Sequence, residues 1–160
     1  MFKEYQEYWS KNLNKDKFDF SFGNKFSLYS ELKNKARFET CLNLIKNIKT
    51  RVAVTKMWIS CHLLPIESGR YKKITRVERL CLLCNRSESN DEFHYLLKCT
   101  HSSLSHRGIF LESLYSINSN FTNMSYKALF LYIMSMCDRN ILNLSAPYIE
   151  SILNCYASET

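Results

Sequence analysis

Glycine and proline are scarce, with only 3 Gly and 2 Pro in 160 residues. That argues against turn-rich sandwiches, collagen and flexible linkers, while 46% hydrophobic residues and 14% aromatics supply enough apolar surface to escape disorder. A long apolar run is also missing. The longest, Ala128 to Met136, is about half of the ~20 residues a membrane-spanning helix needs, and Asp138 and Arg139 follow it. No membrane association is expected. The start, Met1-Phe2-Lys3-Glu4-Tyr5, lacks the apolar core of a secretory signal, and seven Cys is an odd number. A full disulfide framework in an oxidising compartment is therefore disfavoured, and an intracellular protein with metal-bound or buried thiols is expected. The length is one domain's worth of chain.

Acidic residues are few in one half only. Residues 1–80 carry 17 Lys+Arg and 8 Asp+Glu, a net +9, whereas residues 81–160 carry 5 and 7, a net −2, which together give the overall +7. The densest stretch holds Arg70, Lys72, Lys73, Arg76 and Arg79 against Glu78 alone. Such a stripe suits a polyanion, because each phosphate neutralised releases counterions. Charge runs are also commonly plain solvated faces.

Periodicity reads as mainly α. Phe2, Tyr5, Trp9 and Leu13 fall at helical spacing, Lys15 to Lys25 alternates Phe18, Phe20 and Phe22 as a short strand or aromatic loop, and two or three helices fit Ser27 to Leu64. Pro65 and Ser68-Gly69 break the pattern, so Ile66 to Tyr71 reads as a turn. Further helices are expected over Ser105 to Ile117, Ser125 to Cys137 and Pro147 to Tyr156, the last with Pro at its first position. Three segments follow within what is expected to be one compact domain: helical 1–64, basic and metal-binding 65–100, and helical 101–160.

The chemistry-bearing cluster is Cys81-x2-Cys84-x9-His94-x4-Cys99. Seven Cys in 160 positions give roughly 0.3 Cys-x2-Cys pairs by chance, and requiring a nearby His-x4-Cys multiplies that expectation by about 0.01. Four S/N donors suit tetrahedral Zn²⁺, and a two-residue gap lets both thiolates of a tight turn reach one ion. Asn90 or Asp91 can cap a short helix from Glu92 to Lys98 that presents His94. A residue five positions on lies about 140° round an α-helix, so Cys99 belongs at or past its end. With four protein ligands the site is closed, and the zinc is structural. His101 and His106 are alternative ligands, better read as polar loop or helix residues. Cys41, Cys61, Cys137 and Cys155 lie in apolar helical patterns and read as core. A Cys61-His62 catalytic pair is disfavoured, since adjacent helical residues point apart.

These residues carry a resemblance. The run Ile59-Ser60-Cys61-His62-Leu63-Leu64-Pro65-Ile66-Glu67-Ser68-Gly69-Arg70-Tyr71, then Ile74-Thr75-Arg76, Arg79-Leu80-Cys81, Cys84, Asp91-Glu92-Phe93-His94-Tyr95-Leu96-Leu97 and Cys99, resembles the zinc-binding region downstream of the reverse transcriptase domain in LINE-type (non-LTR) retrotransposon polyproteins. The specific match spans about residues 55–100. Thr100 stands where that family usually has Pro, and Cys61 where a small or polar residue is common. Neither touches a proposed ligand. The resemblance implies an accessory segment that helps a polymerase hold template RNA and target DNA, and a nuclear location. It implies no polymerase activity here, because the aromatic-x-Asp-Asp pair that binds two Mg²⁺ in the palm is absent. Arg70, Lys72, Lys73, Arg76 and Arg79 are then the expected phosphate contacts, with Tyr71 stacking on an unpaired base of RNA or single-stranded DNA. A zinc-folded protein-interaction fragment that packs on a polymerase domain or self-associates is the alternative, hinted at by the apolar stretch Tyr126 to Met136. A decayed element copy with no selected function is the other alternative.

Overall fold

The structure, a computed structural model, describes residues 7, 11, 27–32, 39–84, 91–135 and 138–159. The apolar positions of the expected first helix and the aromatic stretch Lys15 to Lys25 lie outside those residues, as do the side chain of Cys41 and all of Cys137. Among the described residues every element longer than one residue is helical, as the periodicity predicts. The α-helices are α1 (Ser27–Leu32), α2 (Ile48–Trp58), α3 (Pro65–Tyr71), α4 (Arg107–Ile117), α5 (Tyr126–Ser135) and α6 (Arg139–Glu159). Single 3-10 turns at Thr40–Leu44, Arg76–Glu78, Ser102–Leu104 and Ser119–Asn123 link them.

Local chemistry sets the boundaries. Asn47 Oδ1 accepts hydrogen bonds from Lys49 N–H and Thr50 N–H and so caps α2. The other end closes when Ser60 turns left-handed at φ 48, with Ser60 N–H donating to Met57 O and Cys61 N–H to Lys56 O. The chain then enters α3, not the turn expected over Ile66 to Tyr71. Pro65 sits at the first helical position, where its missing N–H costs nothing, and Leu64 before it is extended. Gly69 is tolerated inside this helix because the Arg79 side chain crosses it, and a Cβ would lie only 2.7 Å from Arg79 Cγ. Lys73 closes α3 in the left-handed region at φ 56, as Ser60 closes α2.

Pro147 also departs from expectation, because α6 runs 21 residues with that proline inside it. Asp138 starts the helix by accepting from Asn140 N–H and Ile141 N–H. Pro147 and Asn143 are exposed, so the carbonyl left without its usual donor faces water. The inner face of α6 buries Ile141, Leu142, Ala146, Ile149, Ile152 and Tyr156, and α2 and α4 pack on it. The apolar stretch of α5 likewise buries Leu129, Phe130, Ile133 and Met134 in the core, and leaves Tyr126 and Ala128 exposed. One apolar cluster runs from Leu28 to Tyr156 and includes Cys81, Cys84 and Cys99. No helix of the described residues is long and apolar enough to cross a membrane.

Candidate metal centre

Cys81, Cys84, His94 and Cys99 converge, all buried, with their donor atoms within 4.8 Å of one another. The first two share a tight turn in which Cys84 N–H points at Cys81 Sγ, 3.4 Å away. Asp91 caps the second element by accepting from His94 N–H at 2.8 Å. The helix begins as α at Glu92 and Phe93, then widens to a π turn over His94–Lys98, closed by Cys99 N–H donating to His94 O at 2.7 Å. The wider turn overcomes the 140° mismatch of an α-helix, and the chain leaves it extended at Cys99, where the thiol turns inward.

The donor geometry fits one ion. Two sulfurs about 2.3 Å from a tetrahedral centre stand about 3.8 Å apart, and Cys81 Sγ and Cys99 Sγ are 3.7 Å apart. Cys84 Sγ lies 3.2 Å from His94 Nε2. Burial pushes the Cys81 thiol up, but hydrogen bonds from His94, the Cys84 N–H, Tyr95 and the Leu83 N–H outweigh it and bring it down to about 5. At Cys99 burial wins, raising the thiol to about 12 against one backbone hydrogen bond from His101, and the neighbouring Cys81 and Cys84 add to that rise. The metal-free site thus holds its thiolate character unevenly, and an ion that claims all three sulfurs must displace a proton from Cys99. Among the described cysteines none forms a disulfide.

Residues outside the ligand set hold the turn. The end of the π turn leaves carbonyls without helical donors, and Arg107 takes two of them and one just beyond: Nε donates to Leu96 O, Nη2 to Tyr95 O and Nη1 to Cys99 O. Tyr148 of α6 donates a second bond to Leu96 O at 2.7 Å. Tyr95, fully buried, puts its hydroxyl 3.6 Å from Cys81 Sγ and its ring edge-on to Tyr156. Beside the turn lies a buried polar cluster in which Glu92 Oε1 accepts from Ser60 Oγ at 2.9 Å and meets His62 Nε2 at 3.1 Å. Burial raises the Glu92 carboxyl, yet the bonds from His62, its own backbone N–H and Ser60 hold it below the usual carboxylate range. His62 and Glu92 are 30 residues apart, so no local spacing pairs them. His101 and His106 serve as polar loop and helix residues: the first caps Ser103 N–H and the second meets Ser151 Oγ.

Two sequence expectations need correction. Cys61 is exposed rather than core, because α2 ends before it, whereas Cys155 packs partly buried against the core with its thiol on Ser103 O. Arg79 cannot serve as a phosphate contact. It is 3% exposed and donates to Ile66 O and, twice, to Ile74 O. Arg70 is half-buried, bonded through Nε and Nη2 to Glu67 Oε2, with its guanidinium 4.4 Å over the Tyr71 ring. Lys72, Lys73, Arg76 and Tyr71 are exposed. The stripe counted along the chain therefore thins to three free-standing cations beside Glu78, whose carboxylate is held low by Thr75. Searches against protein-family models, curated proteins and solved structures find no match for the chain.

Proposed function

We propose that the chain is a zinc-folded nucleic-acid-binding module without polymerase activity, of the kind its sequence resembles beside retrotransposon reverse transcriptases, and that it works in the nucleus. The donor set of three sulfurs and one nitrogen suits Zn²⁺ over harder ions. Cys81, Cys84, His94 and Cys99 would hold it, and bound zinc would supply folding energy with no open position for a reacting water. Three thiolates outnumber the ion's two charges, so the metal adds nothing to the positive field.

The observation that carries the proposal is the loop of residues 71–78. It exposes Tyr71, Lys72, Lys73 and Arg76 and is pinned at its far end by buried Arg79, two residues before the first metal ligand. A loop fixed at both ends presents its cations in one geometry and loses less freedom on binding. Tyr71 offers a flat face to a splayed base while the three cations take phosphates. Anisotropy titrations of single-stranded RNA and DNA oligonucleotides at rising salt test this. Three phosphate contacts give a log–log salt slope of about −2 for a single strand, and the triple variant Lys72→Glu, Lys73→Glu, Arg76→Glu abolishes it. Binding indifferent to salt, or unaltered in the triple variant, refutes the assignment.

A further inference from the structure

A groove of about 820 Å³ opens between α2 and the C-terminal end of α6, and none of the four candidate ligands lines it. Its walls are largely apolar. Ile48 and Val52, one helical turn apart on α2, are 72% and 45% exposed, and Leu63 and Tyr71, from the segment after α2, are 66% and 65% exposed. Leu153 closes the α6 side. The opposite face of α2 is buried through Thr50, Val54, Met57 and Trp58, so the core does not need this second face. Single exposed apolar residues are ordinary, but four that share one concave surface are an interaction surface.

The rim is cationic. Lys49 and Lys56 line the groove, are exposed, and have no ion pair among the described residues. Its one lining carboxylate, Glu150, is engaged by the Thr50 hydroxyl. A second copy of the chain would bring these lysines against each other across a two-fold axis. A flat membrane cannot fill a concave floor. Nucleic acid would suit the lysines, but Tyr71 at one end is the groove's one exposed ring, and the branched aliphatic surface of Ile48, Val52 and Leu63 gives successive bases nothing to stack on.

We infer that this groove binds an amphipathic helix of a partner protein, one whose apolar stripe is flanked by acidic residues. The stripe fills the groove at i, i+3, i+4, i+7 positions and the acidic flanks meet Lys49 and Lys56. This adds a protein partner to the proposed nucleic-acid role. Tyr71 belongs to both surfaces, so variants that separate them must leave it alone.

The test titrates the zinc-loaded full chain with three labelled synthetic peptides: a Leu-striped helix flanked by Glu, the same stripe flanked by Lys, and the Glu peptide shuffled to break the stripe. The Glu-flanked stripe binds at least tenfold tighter than the other two, Val52→Glu and Leu63→Ser each weaken it by about tenfold, and Lys49→Glu with Lys56→Glu turns the preference to the Lys-flanked peptide. The substituted side chains are exposed, and unchanged zinc content with an unchanged melting temperature verifies each fold. RNA affinity stays the same in Val52→Glu. Equal binding of striped and shuffled peptides overturns the inference, as does no binding of the Glu peptide up to about 1 mM. So does a dimer in light scattering or binding to anionic phosphatidylserine vesicles that Val52→Glu abolishes, or a loss of RNA affinity in that variant.

Discussion

Two neighbouring stretches treat their polar groups in opposite ways. Around the metal centre the donors turn inward: Arg107 spans three carbonyls, Tyr148 reinforces one of them, Asp91 caps His94, and Glu92 collects Ser60 and His62. In the loop of residues 71–78, a few positions earlier, Lys72, Lys73 and Arg76 face water and only Glu78 bonds locally, to Thr75. Burial, not residue type, divides them. Arg79 carries the same side chain as Arg76, yet it braces the loop from inside. Net charge along a sequence therefore overstates the field a partner meets, because a buried guanidinium whose donors serve carbonyls is scaffold.

The sharpest way to break this contrast is to remove a ligand. Cys99→Ala lowers zinc from one per chain to none and takes away binding energy on the order of 10 kcal/mol, enough to abolish cooperative unfolding. Metal analysis with thermal unfolding checks it, and equal zinc in parent and variant removes the ligand assignment. Acid acts on the same site. The metal-free Cys99 thiol stays protonated up to about 12, so binding expels a proton and affinity falls by about tenfold for each unit of acidification per proton released. A competitive chelator titration at pH 7.5 and 6.5 measures this, and an unchanged affinity means Cys99 does not ligate as a thiolate.

The buried cluster beside the turn comes next in size. Glu92→Gln removes the ionised acceptor that Ser60 and His62 share in a buried site, and weakening two buried hydrogen bonds to a charged group costs about 3 kcal/mol. Because the folded Glu92 carboxyl sits below its usual range, its contribution is fully present above that range and is lost only as pH falls through the lower folded value. Denaturant unfolding of the zinc-saturated protein at pH 7 therefore shows the full effect. A loss under about 1 kcal/mol, the scale of an exposed pair, means the cluster is not holding the turn.

What the sequence disclosed follows from where each signal resides. Helix content and the Cys81, Cys84, His94 and Cys99 cluster are written in short-range spacing, and the structure is helical and brings those four side chains together. The π turn is not so written, since no residue of His94–Lys98 requires it; it exists because Cys99 must reach the cluster and because Arg107 and Tyr148, from other elements, satisfy carbonyls at its end. Glu92 and His62 were hidden for the same reason, being adjacent only after folding. Pro65 and Pro147 misled in opposite directions. The first opens a helix where a turn is expected, and the second stands inside a helix whose true start is fixed by Asp138.

The finest comparison sets two arginines against each other. Arg79→Met removes the donors from Ile66 O and Ile74 O and costs about 2 kcal/mol, since buried acceptors lose their partners. Arg76→Met touches only an exposed position and stays within about 0.5 kcal/mol of the parent. On RNA the order reverses. Arg76→Met flattens the salt slope by about 0.7, the share of one phosphate contact on a single strand. Arg79→Met, measured with the protein still folded at low temperature, leaves that slope intact, because its guanidinium never reached solvent. Paired unfolding curves and salt titrations on the two variants separate brace from contact, and identical behaviour of both arginines in either assay would erase the division between scaffold and surface.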